Sequence, residues 1–127
     1  MGKQRAARRQ ADRGSSNKEA TRVIEGGADA TSRLDRVIHQ PVRLAIVSSL
    51  AVNEMLTFNQ IKALLRVSDG NLSVHARKLE DAGYIDCDKG YAGRLPRTEY
   101  RLTGQGRTAL HRYLEHMESL IHAVRLS

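Results

Sequence analysis

Tryptophan is absent from the 127 residues, phenylalanine occurs once and tyrosine four times, so stacking of single-stranded bases on aromatic platforms is a poor first expectation. One cysteine, Cys87, cannot form a disulfide within the chain. With no export signal in view, that fits a reducing, cytoplasmic location. No apolar run approaches the roughly 18 residues of a membrane-spanning helix. The basic N-terminus has no apolar core behind it, so no secretory signal is read there. No Ser/His/Asp set, P-loop or glycine-rich dinucleotide fingerprint appears, which argues against an enzyme. His39, His111, His116 and His122 share no ligand spacing with Cys87, so neither a metal nor another cofactor is expected. Acid is also scarce relative to base: 14 Asp and Glu against 21 Lys and Arg, a net charge of +7 and a pI near 10.1. A balance of that sign favours nucleic acid, or less specifically an anionic surface, as partner.

The excess is concentrated at the N-terminus. Residues 1–32 carry seven Lys and Arg against four Asp and Glu, and Gly2–Arg13 alone holds five bases and one acid. Rich in Ala, Gln, Gly and Ser, residues 1–30 have little to bury and read as a disordered basic arm. The arm is either a grip on phosphates or a solvated tail. Thr31-Ser32 resembles a helix start, with Leu34, Val37 and Ile38 as its apolar side. Pro41 either begins a new helix or bends that one. Leu44, Ile46, Val47 and Leu50 complete a first helix through Ala51. Thr57 and Gln60 form a capping box for a short second helix, whose apolar face is Phe58, Ile61, Leu64 and Leu65.

A third helix follows from Ser68 to Gly83, capped by Ser68 or Asp69. Leu72, Ala76 and Leu79 recur at i, i+4, i+7 and make one narrow apolar face. Gly70, Ser73, Val74, Arg77 and Lys78 lie opposite, a small and basic surface built to be presented. Tyr84–Lys89 alternates, with Ile85 and Cys87 inward and Asp86 and Asp88 outward. Gly90–Arg97 reads as a loop longer than a tight turn, and Thr98–Thr103 alternates again, giving a hairpin. Thr103 caps a long last helix. Leu110, Leu114, Met117, Ile121 and Val124 are spaced 4, 3, 4, 3 along it, a heptad seam. No internal repeat is evident.

This order, α+β but mainly α, is that of a winged helix-turn-helix: a three-helix core, a β-hairpin wing and a long C-terminal dimerisation helix. Four motifs carry a family resemblance across about residues 33–125. They are Pro41-x-Arg-Leu-Ala-Ile-x-x-x-Leu50, Asp69-Gly-Asn-Leu-Ser-x-His-x-x-x-Leu-x-x-Ala-Gly-Tyr84, Gly93-Arg-x-Pro-Arg-Thr-x-Tyr100 and Leu102-Thr-x-x-Gly-Arg107. Together they resemble the small winged-helix transcriptional regulators of the MarR/ArsR-like superfamily, in their short single-domain branch. The resemblance implies a homodimeric regulator of double-stranded DNA, with an N-terminal arm over 1–30, a winged-helix domain over 31–103 and a dimerisation helix over 104–127. The helix at 68–83 would enter the major groove, and the wing at 89–97 would meet the backbone or minor groove. The chain lacks the longer dimerisation region of full-length MarR proteins. It also lacks the paired cysteines and His/Asp clusters of metal-sensing ArsR members. A small-molecule effector is therefore left open but not indicated.

Within this frame Arg77 is the chief candidate for a base contact, since arginine pairs with guanine in a bidentate way. A bland alternative is a pair with Glu80 or Asp81. Lys78 suits a phosphate. Asn71 and Ser73 suit base edges or phosphates, with a local capping role as the alternative for Asn71. Val74 suits a thymine methyl. In the wing, Lys89, Tyr91, Arg94 and Arg97 form the second candidate group, and arginines there can enter a narrow minor groove. The alternative for these arginines is an ion pair with Asp86 or Asp88. Arg43 reaches either phosphate or an internal partner. His75 is read as structural, hydrogen-bonded near the base of the wing, and Cys87 as an inert inward thiol. Leu110, Leu114, Met117, Ile121 and Val124 are the candidate dimer interface; the alternative is that the helix packs back on its own domain. The leading function is a sequence-specific repressor reading a near-palindromic operator. The competitors are a nonspecific architectural DNA binder and a winged-helix protein-interaction module.

Overall fold

The computed structural model describes residues 34–127; the basic arm and the helix start expected at Thr31-Ser32 lie outside the described residues. The element order is α1 (Pro41–Ala51), β1 (Leu56–Thr57), α2 (Phe58–Leu65), α3 (Asp69–Asp81), β2 (Ile85–Ala92), β3 (Leu95–Leu102) and α4 (Gly104–Leu126). This is the expected winged helix: a mainly helical core, an antiparallel hairpin and a long C-terminal helix. No helix among the described residues is long and apolar enough to cross a membrane.

The apolar residues at 34–38 do not form the helix expected of them. Leu34 and Ile38 are buried, but on a turn. Asp35 explains this: its Oδ1 accepts from the backbone N–H of Val37 at 2.8 Å and of Ile38 at 3.2 Å. Such a side-chain bond offers the backbone an alternative to the helical ladder. Pro41 then starts α1, and the Gln40 side chain accepts from the N–H of Arg43 at 2.8 Å.

Thr57 and Gln60 form the expected capping box, at 3.1 and 2.8 Å. Leu64 departs from the expected apolar face and is 61% exposed. Phe58, Ile61 and Leu65 share the inward side of this short helix, and Leu64 stands about 100° around the axis from Leu65. Arg66 ends α2 in the left-handed region, φ 56, a conformation that costs a residue with a side chain roughly 1–2 kcal/mol. Lys62 pairs with Asp69 at 2.6 Å and ties the end of α2 to the start of α3. Ser68 is the α3 cap, accepting from the N–H of Asn71 at 3.1 Å. Leu72, Ala76 and Leu79 are all buried, as the spacing requires. The helix closes at Asp81 and the chain leaves it through Gly83.

The sheet has strand order β1-β3-β2. The two-residue β1 was not expected; Leu56 pairs with Tyr100 and Thr57 with Glu99. The loop expected over Gly90–Arg97 is largely strand. β2 runs to Ala92, β3 starts at Leu95, and only Gly93 and Arg94 turn. The positive φ of Gly93, +65, falls at the first turn position and Arg94 has none, the pattern of a type II′ hairpin turn.

Thr103 caps α4, accepting from the N–H of Gly106 at 2.9 Å, while its hydroxyl donates to the Gly83 carbonyl at 2.7 Å. Gly106 is buried where α4 crosses the α3–β2 junction: a Cβ there would stand 2.1 Å from the Tyr84 carbonyl oxygen. The first half of α4 therefore belongs to the core, with Leu110 and Tyr113 buried in it. Leu110, expected in a dimer seam, packs inside its own chain, and Met117 is half-buried against the same core. The rest of the seam lies open: Leu114, Ile121 and Val124 are 45%, 44% and 56% exposed.

Candidate nucleic-acid interface

The face of α3 opposite Leu72, Ala76 and Leu79 is uncovered. Asn71, Ser73, Val74, Arg77 and Lys78 are all exposed. Nothing stands within 4 Å of a Cβ placed on Gly70, so a partner has close access to the backbone at the start of the helix. Arg77 keeps 70% of its side chain exposed, and its Nε lies 3.9 Å from Glu80 Oε1. An exposed pair at that separation is a weak restraint, worth well under about 1 kcal/mol, and leaves the guanidinium available. Asn71 donates its backbone N–H to Ser68, so the cap is Ser68 and the amide side chain of Asn71 is not the capping group.

Lys89, Tyr91, Arg94 and Arg97 are exposed as well, but they do not form one surface. Directly opposed residues of an antiparallel pair share a face. Lys89 opposes Thr98 and Tyr91 opposes Pro96, in line with Cys87 opposite Tyr100 and Ile85 opposite Leu102. Lys89 and Tyr91 therefore extend the core-facing side of the hairpin. Arg97 opposes Gly90 and lies on the other side with Glu99, with which it pairs at 3.1 Å. Its ion pair is with Glu99, rather than with the expected Asp86 or Asp88. Arg94 occupies the tip of the turn, with no ion pair among the described residues. On the Arg97 side, an open cleft of about 410 Å³ separates the wing from the first turn of α2 and is lined by Phe58, Asn59, Gln60, Leu95 and Arg97.

Behind Arg77, α3 meets the sheet through Glu80, Cys87 and Tyr100. Burial, then the neighbouring Cys87 and Glu80, push the Tyr100 phenol up to about 12. Burial, then Glu80, raises the Cys87 thiol as well, which favours the protonated form of this half-buried group. Arg43 turns inward. Its Nε donates to the Val37 carbonyl at 2.6 Å, and its Nη1 lies 3.1 Å from His75 Nδ1. The partner of His75 is thus α1, where the wing base had been expected. The pairing of residues 43 and 75 carries no local sequence signal; the proline-started helix places Arg43, and the α3 periodicity places His75 at the margin of the core. Among the described residues, no group of three or more His, Cys, Asp or Glu is placed to hold a metal ion.

An exposed helix face with Arg77 and Lys78, beside a hairpin with Lys89, Arg94 and Arg97, matches a known family. Residues 42–121 match the winged helix DNA-binding domain family, and the chain belongs to it. An uncharacterised protein of Methanocaldococcus jannaschii is 32% identical over 79 residues, which span 62% of this chain and 86% of that one. A transcriptional regulator homologue from Pyrococcus horikoshii OT3 superimposes with a TM-score of 0.71 at 30% identity, over 80% of this chain and 98% of that one. The fold is also that of Sco3205, a MarR family transcriptional regulator from Streptomyces coelicolor solved in complex with DNA. There the TM-score is 0.58 at 21% identity, over 80% of this chain and 68% of that one.

Proposed function

We propose that the protein is a transcriptional regulator acting as a homodimeric repressor. It binds a near-palindromic operator with α3 in the major groove and the wing on the backbone or minor groove. The observation that carries this reading is the uncovered α3 face. Ser73, Val74, Arg77 and Lys78 project from a helix whose other side is fixed in the core, within a family of DNA-binding domains. The P. horikoshii relative, named a transcriptional regulator homologue, and the DNA-bound S. coelicolor neighbour support it. Arg77 reads a base, Val74 meets a thymine methyl, and Asn71, Ser73 and Lys78 serve base edges or phosphates. Lys89, Tyr91 and Arg94 form the wing contact, with Arg97 joining it from the opposite face.

The dimer is supported by the open half of α4. Twenty-three residues make a helix about 34 Å long, and although Met117 and Leu120 still touch the core, one apolar side of its second half stays exposed. Leu114, Ile121 and Val124 then lie against their equivalents in a second copy, with Met117 at the margin. A two-fold pair of α3 helices about 34 Å apart fits half-sites about 10 base pairs apart. Repression needs nothing beyond occupancy of the operator.

Fluorescence anisotropy tests the reading, with the duplex upstream of the protein's own gene and a scrambled duplex, at about 150 mM salt. A preference of about 10³-fold or more is expected. Equal, salt-sensitive binding to these and to a random-duplex pool would replace it with an architectural role, and binding to no duplex would move the search to a protein partner. Sedimentation of Ile121→Asp tests the interface. The variant is expected to run as a monomer where the parent runs as a dimer, and a variant that remains dimeric would place the interface elsewhere.

A further inference from the structure

The Arg43–His75 contact links the proposed reading helix to a frame that is itself held at several points. Asp35 anchors the turn before α1 through its bonds to Val37 and Ile38, and its other carboxylate oxygen accepts from the Tyr84 hydroxyl at the α3–β2 junction. His39 Nδ1 lies 2.9 Å from the Tyr113 hydroxyl of α4. Arg43 takes the carbonyls of Val37, at 2.6 Å, and Arg36, at 3.5 Å, from this braced turn. Its remaining arm goes to His75. The short Val37 bond anchors the guanidinium to the turn before α1, so His75 meets a donor that is itself held. His75 also stands between the two faces of α3, next to Val74 and two residues from Arg77, where a small rotation of the helix moves both outward side chains.

We propose that the Arg43–His75 hydrogen bond is a positioning contact that holds α3 in its sequence-reading pose and is released when the imidazole is protonated. The inference rests on the DNA-reading function proposed above. Arginine has no acceptor and does not deprotonate, so His75 Nδ1 must accept and the proton of the neutral ring sits on Nε2. A second proton would occupy Nδ1 and turn an acceptor into a cation facing a cation. The charged groups facing His75 are Arg43 from α1 and Lys78 from the next turn of α3; both are positive, and with burial, the largest cause, they hold the imidazole below its ordinary value of 6.5. The sign follows: the contact is at full strength above about 6.5 and is lost as pH falls below it. Ordinary phosphate binding changes in the opposite sense, because added positive charge strengthens it.

The test uses the full chain, an operator duplex selected from a random pool and a scrambled duplex, at about pH 7.5 and about pH 5.5, the range in which histidine titrates. The preference of the parent for its operator is expected to fall about tenfold at the lower pH, while binding to the scrambled duplex holds or strengthens. In His75→Gln the amide oxygen can accept from Arg43, so the preference is expected to stay near the parent's higher value at both pH values. His75→Leu should be low at both. A parent preference that does not fall at the lower pH, or a His75→Leu variant that matches the parent, would overturn the proposal. A parent with no preference for any duplex defeats the DNA-reading function instead. The contact is then judged in the free chain from the imidazole nitrogen shifts of His75. An Nε2–H tautomer at pH about 7.5, with α3 amides that move as the ring titrates, upholds it; an Nδ1–H tautomer overturns it.

Discussion

The α3 helix and the wing present similar side chains on very different supports. In α3, Leu72 and Leu79 are fully buried, Ser68 caps the first turn, Lys62 holds Asp69, and Arg43 reaches His75 from α1. The outer residues Ser73, Val74, Arg77 and Lys78 thus ride on a rod whose position is fixed by packing. Beyond Cys87 and Tyr100 the wing rests on the backbone ladder of β2 and β3 and the Arg97–Glu99 pair, and everything from Lys89 to Arg97 is exposed. The contrast separates two ways of meeting a polymer. Reading a base edge by a bidentate contact requires a set position, whereas following a phosphate backbone tolerates compliance. Under the proposed function, the residues assigned to base reading sit on the braced element and those assigned to the backbone on the free one, the division of labour expected of a sequence-specific binder.

That contrast can be broken or sharpened by substitution. The largest effect is expected from Leu79→Ala, which opens a cavity under α3. A loss of about 2–5 kcal/mol is expected in urea unfolding, with specific and nonspecific DNA binding lost together as the fold weakens. A stable variant would mean that α3 is not held by its apolar face. Arg77→Ala comes next, and leaves the fold intact. It should cost about 1–3 kcal/mol against the operator and much less against a scrambled duplex. Equal loss on both would demote Arg77 to a phosphate contact. Arg94→Ala is the smallest. It should weaken binding to all sequences alike and reduce the slope of log affinity against log salt by about 1. A sequence-dependent loss would promote the wing tip to a reader.

The fold was legible where periodicity and caps act within a few residues. The Thr57–Gln60 box, the Ser68 cap, the Leu72–Ala76–Leu79 face and the Thr103 cap all stand where the sequence puts them. The failures have two causes: a local side-chain bond or turn that periodicity passes over, and a partner distant in sequence. Asp35 diverts an apolar stretch into a turn, Leu56-Thr57 becomes a strand only because Tyr100 and Glu99 lie alongside, and Leu110 is claimed by its own core. Gly93 falls inside the expected loop, although a glycine at the first position of a two-residue turn is what lets both strands run on. Of the candidate site, the exposure of the α3 residues was legible from helical spacing. The separation of Arg97 from Lys89 and Tyr91 was not, because it depends on the register, and a one-residue shift exchanges the faces.

Among the described residues, the strand order makes the wing a two-stranded ribbon with unpaired edges: β2 pairs with β3 alone, and β1 covers β3 at Glu99 and Tyr100. Unpaired strand edges invite another strand to add, which is a route to aggregation. Here the exposed ribbon carries Asp86, Asp88 and Lys89 on one strand and Pro96 and Arg97 on the other, and Pro96 offers no N–H to a newcomer. These charges of both signs make the hairpin a poor template for self-association, and replacing them with apolar residues would turn a solvated ribbon into a landing place for further strands.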